Sequence, residues 1–330
     1  MMLLKHPVLC NYYITYRCNA ACSFCDIWEK PSPYVQLEDV SLNLKDLKKL
    51  GVKVIDFTGG EPFLHRGLPE MLRMAKSMGF ITTVTTNTLL YPKYAAEVRG
   101  LIDMLHFSLD SAQAEKHNAM RGVACFNHVM QSIKLARKLG EKPDILFTVF
   151  AGNIEEIELV YQEITLPNHL VLILNPVFQY GEVASAERLG PADLEILRAW
   201  GRKKGVYLND AFLALRKNGG NQVANPVCKA GSTTVVITPH NGLMLPCYHA
   251  GIEEFPIQGR LYELYRAENV QKLMALEGRM PACQGCVVNC YMQPSFSVNL
   301  NKYWWMALPS TLKYNLMKGT WKQLLPNINT

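Results

Sequence analysis

The sequence predicts an α/β protein, a parallel sheet of six strands followed by a smaller cysteine-rich region. Strand-like and helix-like runs alternate from about residue 8 to residue 205, the pattern of parallel strands joined by right-handed crossovers. That rhythm stops near residue 206, and five of the ten cysteines lie beyond it. At 330 residues the chain is long enough for one large domain or two moderate ones, each with its own core.

VLCNYYITYRC is rich in β-branched and aromatic residues and forms the first strand. LEDVSLNLKDLKKLG has helical spacing and stops on Gly51. VKVIDFTGG is a short buried strand, LPEMLRMAKSMG a helix ending at Gly79, FITTVTTN the third strand and YPKYAAEVRG a short helix. The strand IDMLHFSLD, the helix FNHVMQSIKLARKLG and the strand DILFTVF come next. IEEIELVYQEI is helical, HLVLILNPVFQ is the sixth strand, and PADLEILRAWGRKKG is a helix with Pro191 suited to its first turn. Periodicity does not decide whether this sheet stays open or curls into a partial barrel. In either form ligands sit at the carboxyl ends of the strands. Residues 206–224 read as a linker, with NGGNQ as a flexible turn, and VVITPHNGLMLPC as a hairpin turning at HNG.

No run of about 18 apolar residues occurs, so no membrane-spanning helix is expected. MMLLKHPVLC lacks a clean signal peptide, and ten cysteines without one point to a reducing cytoplasm. There, clustered thiols are metal or cluster ligands rather than disulfides. The net charge of +6 is uneven: no acidic residue follows Glu277, while Arg279, Lys302, Lys313, Lys318 and Lys322 do. This makes either a basic surface beside an anionic metal site or an attraction to an anionic substrate or lipid head group. No nucleic-acid partner is expected.

Cys18, Cys22 and Cys25, in CNAACSFC, end the first strand. A structural zinc site wants a fourth Cys or His, and none follows closely. Three thiolates can instead hold three irons of a [4Fe–4S] cube and leave the fourth iron open. With Phe24 before the last thiol, the triplet resembles the signature of the radical S-adenosylmethionine (SAM) enzymes. The resemblance implies a partial (β/α)6 TIM-type barrel over residues 1–205, with SAM chelating the open iron through its amino and carboxylate groups. Reductive cleavage of SAM then yields methionine and a 5′-deoxyadenosyl radical.

Further motifs carry the resemblance. Gly59, Gly60, Glu61 and Pro62 follow the second strand as GGEP, where glycines permit close backbone approach and a carboxylate can accept from the SAM ammonium. Ser108 and Asp110 of SLD end the fourth strand, and HNAMRG supplies Arg121. The resemblance gives Ser108 and Arg121 as partners of the SAM carboxylate, since a guanidinium fork fits a carboxylate. Thr86 and Asn87 match a position contacting ribose or methionine, and Asn153 a position contacting adenosine. Cys10 and Cys125 lie among apolar residues and read as buried, inert thiols.

Cys228, Cys247, Cys283, Cys286 and Cys290 form a second group. Their order, a Cys, then Gly-x4-Cys, then C-x2-C, resembles the SPASM and twitch auxiliary-cluster extensions, here over residues 225–300. A full SPASM domain carries more cysteines and a further cluster, so one auxiliary [4Fe–4S] cluster is expected. Its ligands are Cys228, Cys247, Cys283 and Cys286, with Cys290 either replacing one of the pair or a spare thiol. The alternative is a structural zinc.

The expectation is therefore an enzyme that abstracts a hydrogen atom from an unactivated carbon of a small molecule, a tetrapyrrole such as a chlorophyll or haem precursor, or a lipid. The auxiliary cluster assists oxidation, and a flavodoxin or ferredoxin supplies electrons. A maturase of a ribosomal peptide or protein side chain is the alternative; a first strand so near the start disfavours a leader-binding domain. From another class, a non-catalytic iron–sulfur or zinc protein serves interaction or electron transfer. The aromatic, basic tail at 301–330 is expected to pack on the core, and is a candidate for walling in a greasy substrate or for peripheral membrane contact.

Overall fold

The computed structural model describes residues 6–178 and 188–319. Gln179, at the end of the expected sixth strand, and the tail beyond Gly319, with Lys322, lie outside them. The strands are β1 (Leu9–Thr15), β2 (Val54–Gly59), β3 (Ile81–Thr86), β4 (Met104–Ser108), β5 (Asp144–Val149), β6 (Leu172–Pro176), β7 (Val206–Tyr207), β8 (Thr234–Ile237), β9 (Gly242–Leu245) and β10 (Glu253–Pro256). They form one sheet in the order β10-β9-β8-β1-β2-β3-β4-β5-β6-β7. Every pair from β8 to β7 is parallel, and β9 and β10 add an antiparallel edge. This is the partial TIM-type barrel of α/β class that the sequence implies.

Side chains alternate across each strand. Cys10, Tyr12, Ile14, Ile55, Phe57, Val84, Leu105, Phe107, Ile145 and Phe147 pack beneath the helices as the main core. Burying each large apolar side chain stabilises the fold by about 1.5–3 kcal/mol. The opposite, lumenal face carries Asn11, Tyr13, Asp56, Thr58, Thr83, Thr85, His106, Leu146, Thr148, Ile173, Asn175 and Tyr207. Among the described strand residues on this face none is Lys or Arg.

The stretch 206–224, expected as a linker, instead holds β7 and a helix, Asp210–Lys217, capped by Asn209, whose side chain accepts from the Ala211 N–H at 2.9 Å. A strand of two residues has no periodicity to read, which is why the seventh β/α unit escaped detection. The cysteine-rich segment includes β8, which pairs with β1 (Asn11 opposite Val236), so it is joined directly to the sheet. A helix of 17 residues, Lys302–Lys318, occupies most of the aromatic, basic tail. Its apolar residues surround the axis and Pro309 interrupts them, so no single face announces it.

That terminal helix packs through Tyr303, Ala307, Ser310 and Tyr314. The Tyr314 ring lies 4.7 Å from that of Tyr207. At the start of β5, the buried Asp144 carboxylate accepts from Tyr314 Oη at 2.7 Å and pairs with Lys318 Nζ at 2.9 Å. His106 stands 3.7 Å away, held neutral by burial, which pulls it down to about 4. Replacing Asp144 with Ala strands a buried ammonium, and we expect a loss of roughly 3 kcal/mol in anaerobic urea unfolding. Glu268→Ala, which breaks only the exposed pair with Lys272, is expected to leave the midpoint unchanged.

Candidate active site

Cys18, Cys22 and Cys25 sit on the loop leaving β1, and backbone hydrogen bonds pin that loop from two sides. From the end of β2, Gly60 N–H donates to Thr15 O and Glu61 N–H to Arg17 O, both at 2.9 Å. From the other side, Ala21 N–H donates to Arg121 O and Ser23 N–H to Met120 O, both at 3.1 Å. The approach at Gly60 is so close that a Cβ there would lie 2.2 Å from Arg17 O. Gly59 has φ +144° and no room either, with Thr15 O at 1.9 Å from an added Cβ. Any side chain at these two positions would push the cysteine loop away.

Glu61 is buried, and its carboxylate accepts from Thr86 Oγ1 (2.8 Å), Phe63 N–H (3.1 Å) and Asn87 N–H (2.8 Å). Oε1 takes two of these donors and Oε2 one, so the carboxylate ties the end of β2 to the end of β3. Burial raises its pKa to about 7, against the pull of these donors and of Arg121. Pro62 opens the short turn Pro62–Leu64 that Glu61 caps. Thr86 also accepts from Thr88 N–H at 3.0 Å. Asn87 turns its amide to the cysteine loop, 2.8 Å from Asn19 Oδ1 and 3.9 Å from Cys18 Sγ.

Asp110 and Arg121 form a buried pair at 2.6 Å, with Asp110 also accepting from Thr148 N–H at 2.9 Å. Arg121 Nη1 reaches Cys22 Sγ at 3.8 Å, and its guanidinium lies 5.2 Å from the Phe24 ring centre. Its Nε is buried without a hydrogen-bond partner among the described residues. Ser108 ends β4, buried on the lumenal side. Asn153 is spent locally, accepting from Phe150 N–H (3.0 Å) and donating to Thr148 O (2.9 Å) to close the turn after β5. Cys125 is buried against His117 Nε2 at 3.3 Å, and burial pushes its thiol up to about 11.

The thiols share one neighbourhood. Burial pushes Cys18 up to about 12, and the charges of Glu61, Cys22 and Cys25 add to the rise. Three thiolates brought together in partial burial need a compensating cation, and an iron–sulfur cluster supplies it. Asn87 and Arg121 are N–H donors beside two of these sulfurs, as the outer shell of such a site requires. Among the described residues no three His, Cys, Asp or Glu side chains close around a single metal ion. A lone zinc would hold its sulfurs roughly 4 Å apart, whereas a cube spreads them wider. The donor set fits the cluster.

Of the second group, Cys228, Cys247, Cys283 and Cys286 line one cavity of about 1020 Å³. Cys290 is absent from its lining, yet its electrostatic neighbours are Cys247 first, then Asp56 and Cys286, with Tyr13 and Tyr291 also beside it. Asn221, fully buried, organises the cavity wall. Its amide donates to Gly278 O (2.8 Å) and Cys283 O (3.1 Å) and accepts from Val227 and Cys228 N–H (2.9 and 3.1 Å). NGGNQ, expected as a flexible turn, is thus a fixed hub. Arg216 also faces this cavity, its guanidinium donating to Pro176 O at 2.8 Å and to Asn289 Oδ1 at 3.1 Å.

Aromatic rings join the two cysteine sets. Tyr248, next to Cys247, stacks on Tyr13 at 4.5 Å, and its hydroxyl accepts from Lys30 Nζ at 2.8 Å. Its backbone N–H donates to Tyr291 Oη at 3.0 Å. Sequence reasoning missed Asn221, Tyr248, Arg216 and Asp56. Only Asp56 left a signal, an acid inside the apolar run VKVIDF on the face that alternation turns to the lumen.

A barrel with three pinned thiolates at the carboxyl end of its first strand is built to carry a cluster at the mouth of its lumen. Residues 12–164 match the family model of the radical SAM superfamily, so this stretch of the chain carries a radical SAM domain, of a family that uses a [4Fe–4S] cluster and SAM. The chain is 27% identical to a probable GTP 3′,8-cyclase of Sulfurisphaera tokodaii, over 74% of this chain and 82% of that protein. A probable GTP 3′,8-cyclase of Saccharolobus islandicus is 35% identical over 44% of the chain, which spans about half of that protein's length (48%). Streptococcus suis SuiB bound to S-adenosylmethionine superposes with a TM-score of 0.66 at 18% identity, covering 81% of this chain and 67% of SuiB. Native anSMEcpe with bound AdoMet gives 0.64 at 16% identity, covering 97% of this chain and 98% of that one. At such identities these structures share the fold.

Two measurements check the site. Glu61→Gln sets an amide donor against one of the three donors that face the carboxylate now, and we expect roughly 1–3 kcal/mol of lost stability together with weakened retention of the first cluster on dilution. For Asp56, burial raises the pKa from the ordinary carboxylate range to about 7. The folded state then holds a proton that the unfolded state releases above about pH 4. Stability should fall as pH rises from about 4 to 7, by roughly 2 kcal/mol after allowing for the carboxyl's residual solvent contact. Asp56→Asn should flatten that part of the urea-midpoint profile.

Proposed function

We propose that this chain is a two-cluster radical SAM enzyme that abstracts a hydrogen atom from a low-charge, lipid-class small molecule. The observation that carries this reading is the lumenal face of the strands, which bears Tyr13, Tyr207, Ile173 and Leu146 with the acid Asp56 and with Asp144, whose charge Lys318 already meets from the terminal helix, and no described strand residue on this face is Lys or Arg. A nucleoside triphosphate needs cationic donors where it is held. GTP, named for the relatives, therefore suits this lumen poorly, and a carboxylate-bearing tetrapyrrole meets the same objection more mildly.

When bound, the cluster supplies the electron that cleaves the sulfonium carbon–sulfur bond of SAM. Cys18, Cys22 and Cys25 hold it. The free Nε donor of Arg121 and the Ser108 hydroxyl receive the SAM carboxylate, and the Gly59–Glu61 segment, with the remaining acceptor site of Glu61 Oε2, receives its ammonium. Residues 225–300 form the auxiliary unit, with Cys228, Cys247, Cys283 and Cys286 as ligands of a second cluster and Cys290 as a spare thiol. Asp56 accepts from a hydroxyl or amine of the substrate, and the Tyr13–Tyr248 stack walls the space between the two clusters and helps to exclude water. A flavodoxin- or ferredoxin-type protein delivers the electron.

The test is 5′-deoxyadenosine formation by anaerobically reconstituted protein with dithionite and SAM. A neutral membrane-lipid extract should stimulate it above the uncoupled rate, and GTP should not; stimulation by GTP alone would reverse the substrate assignment. Cys22→Ala should abolish cleavage. Cys286→Ser should lower the iron bound per chain by about half, leaving the first cluster's spectrum intact. Full iron retention in that variant would contradict the ligand set.

A further inference from the structure

The terminal helix Lys302–Lys318 has two apolar faces, and the fold uses one. Tyr303, Ala307, Ser310 and Tyr314 are buried, at offsets of four, seven and eleven residues. Trp305, Pro309, Leu312 and Leu316 repeat the same offsets on the other side, with Met306 beside them. There Trp305 is 65% exposed, Leu312 53%, Leu316 70% and Met306 41%. Scattered exposed leucines need no explanation, but a continuous stripe of large apolar side chains along a helix marks a surface that meets something.

The charge around the stripe has one sign. Lys313 Nζ donates to Gly201 O (2.9 Å) and Lys203 O (2.8 Å), which brings the exposed Arg202, Lys203 and Lys204 against the helix. Lys318 Nζ donates to Lys142 O at 2.6 Å and brings in a further exposed lysine. Lys302 is exposed at the first turn. The acids facing these groups are few: Glu158 pairs with Lys203 at 3.2 Å, Asp210 faces Lys313, and Asp144 is buried beneath Lys318. No acidic residue occurs from 278 to the end of the chain, and the sequence after the helix, TWKQLL, continues in the same apolar and basic character.

From the exposed stripe and its basic border, we propose that this face of the helix docks on the surface of an anionic lipid bilayer, lying in the plane of the interface. Tryptophan and leucine enter the boundary between head groups and acyl chains, while Arg202, Lys203, Lys204, Lys142 and Lys302 meet the phosphates. Among the described residues no helix is long and apolar enough to cross a membrane, so the contact is peripheral. It stands on the helix face alone and does not depend on what the barrel lumen binds.

The test is co-sedimentation of the full-length, cluster-loaded protein with phosphatidylcholine vesicles, with and without phosphatidylglycerol. Binding is expected only to the phosphatidylglycerol vesicles and should weaken as salt is added. The double substitution Leu312→Glu and Leu316→Glu should weaken it by at least about tenfold. Because both side chains point to solvent, its 5′-deoxyadenosine formation should match that of the unsubstituted protein. Failure to bind phosphatidylglycerol vesicles overturns the proposal, as does undiminished binding by the double variant. A dimer in solution that the same substitutions dissociate also overturns it, and assigns the stripe to a second copy of the chain.

Discussion

The chemistry of this protein rests on how one loop is held. Four backbone hydrogen bonds fix the segment carrying Cys18, Cys22 and Cys25, two from the Gly60–Glu61 backbone and two involving the Met120–Arg121 turn. Each side is in turn held by a buried acid. Glu61 ties the end of β2 to the end of β3, and Asp110 holds Arg121 while accepting from β5. The position of the sulfurs is thereby determined by the ends of several strands at once. Such preorganisation keeps a cluster in one place while its open corner exchanges ligands.

The same economy governs the second cysteine set. Asn221 uses both ends of its amide to bind backbone groups from Gly278, Cys283, Val227 and Cys228, so segments far apart in sequence converge on one cavity wall. Between the two sets lie rings, Tyr13 on Tyr248 with Tyr291 behind, and Lys30 donates to the Tyr248 hydroxyl. Of the acids on the lumenal face, Asp144 is paired with Lys318 at the amino end of β5, whereas no described strand residue on that face is Lys or Arg, and the buried guanidinium groups of Arg121 and Arg216 lie at the carboxyl end, beside the cysteines.

Much of this was legible in the sequence, for physical reasons. The first six strands and their helices are long enough to show a period, and cysteines at short spacings announce ligands whatever the fold. GGEP was visible as a motif, but its logic was not. That Glu61 accepts from Thr86, Phe63 and Asn87 depends on where β3 ends relative to β2, which alternation does not specify. Asn153 closes its own turn after β5, and an amide at a strand end does this as readily as it meets a ligand, so the sequence does not separate the two roles. β7 was too short to carry a period, Asn221 was hidden among glycines, and the terminal helix is apolar on two sides, so its pattern resembles none.

The most direct test of the account is the electron paramagnetic resonance of the dithionite-reduced Cys286→Ser protein, in which the N-terminal cluster is observed alone, before and after SAM is added. The account predicts a reduced [4Fe–4S] signal whose g-values shift on addition, because SAM takes the open iron corner. A signal unchanged by SAM, or N-terminal thiols that hold zinc and give no iron signal, would contradict it.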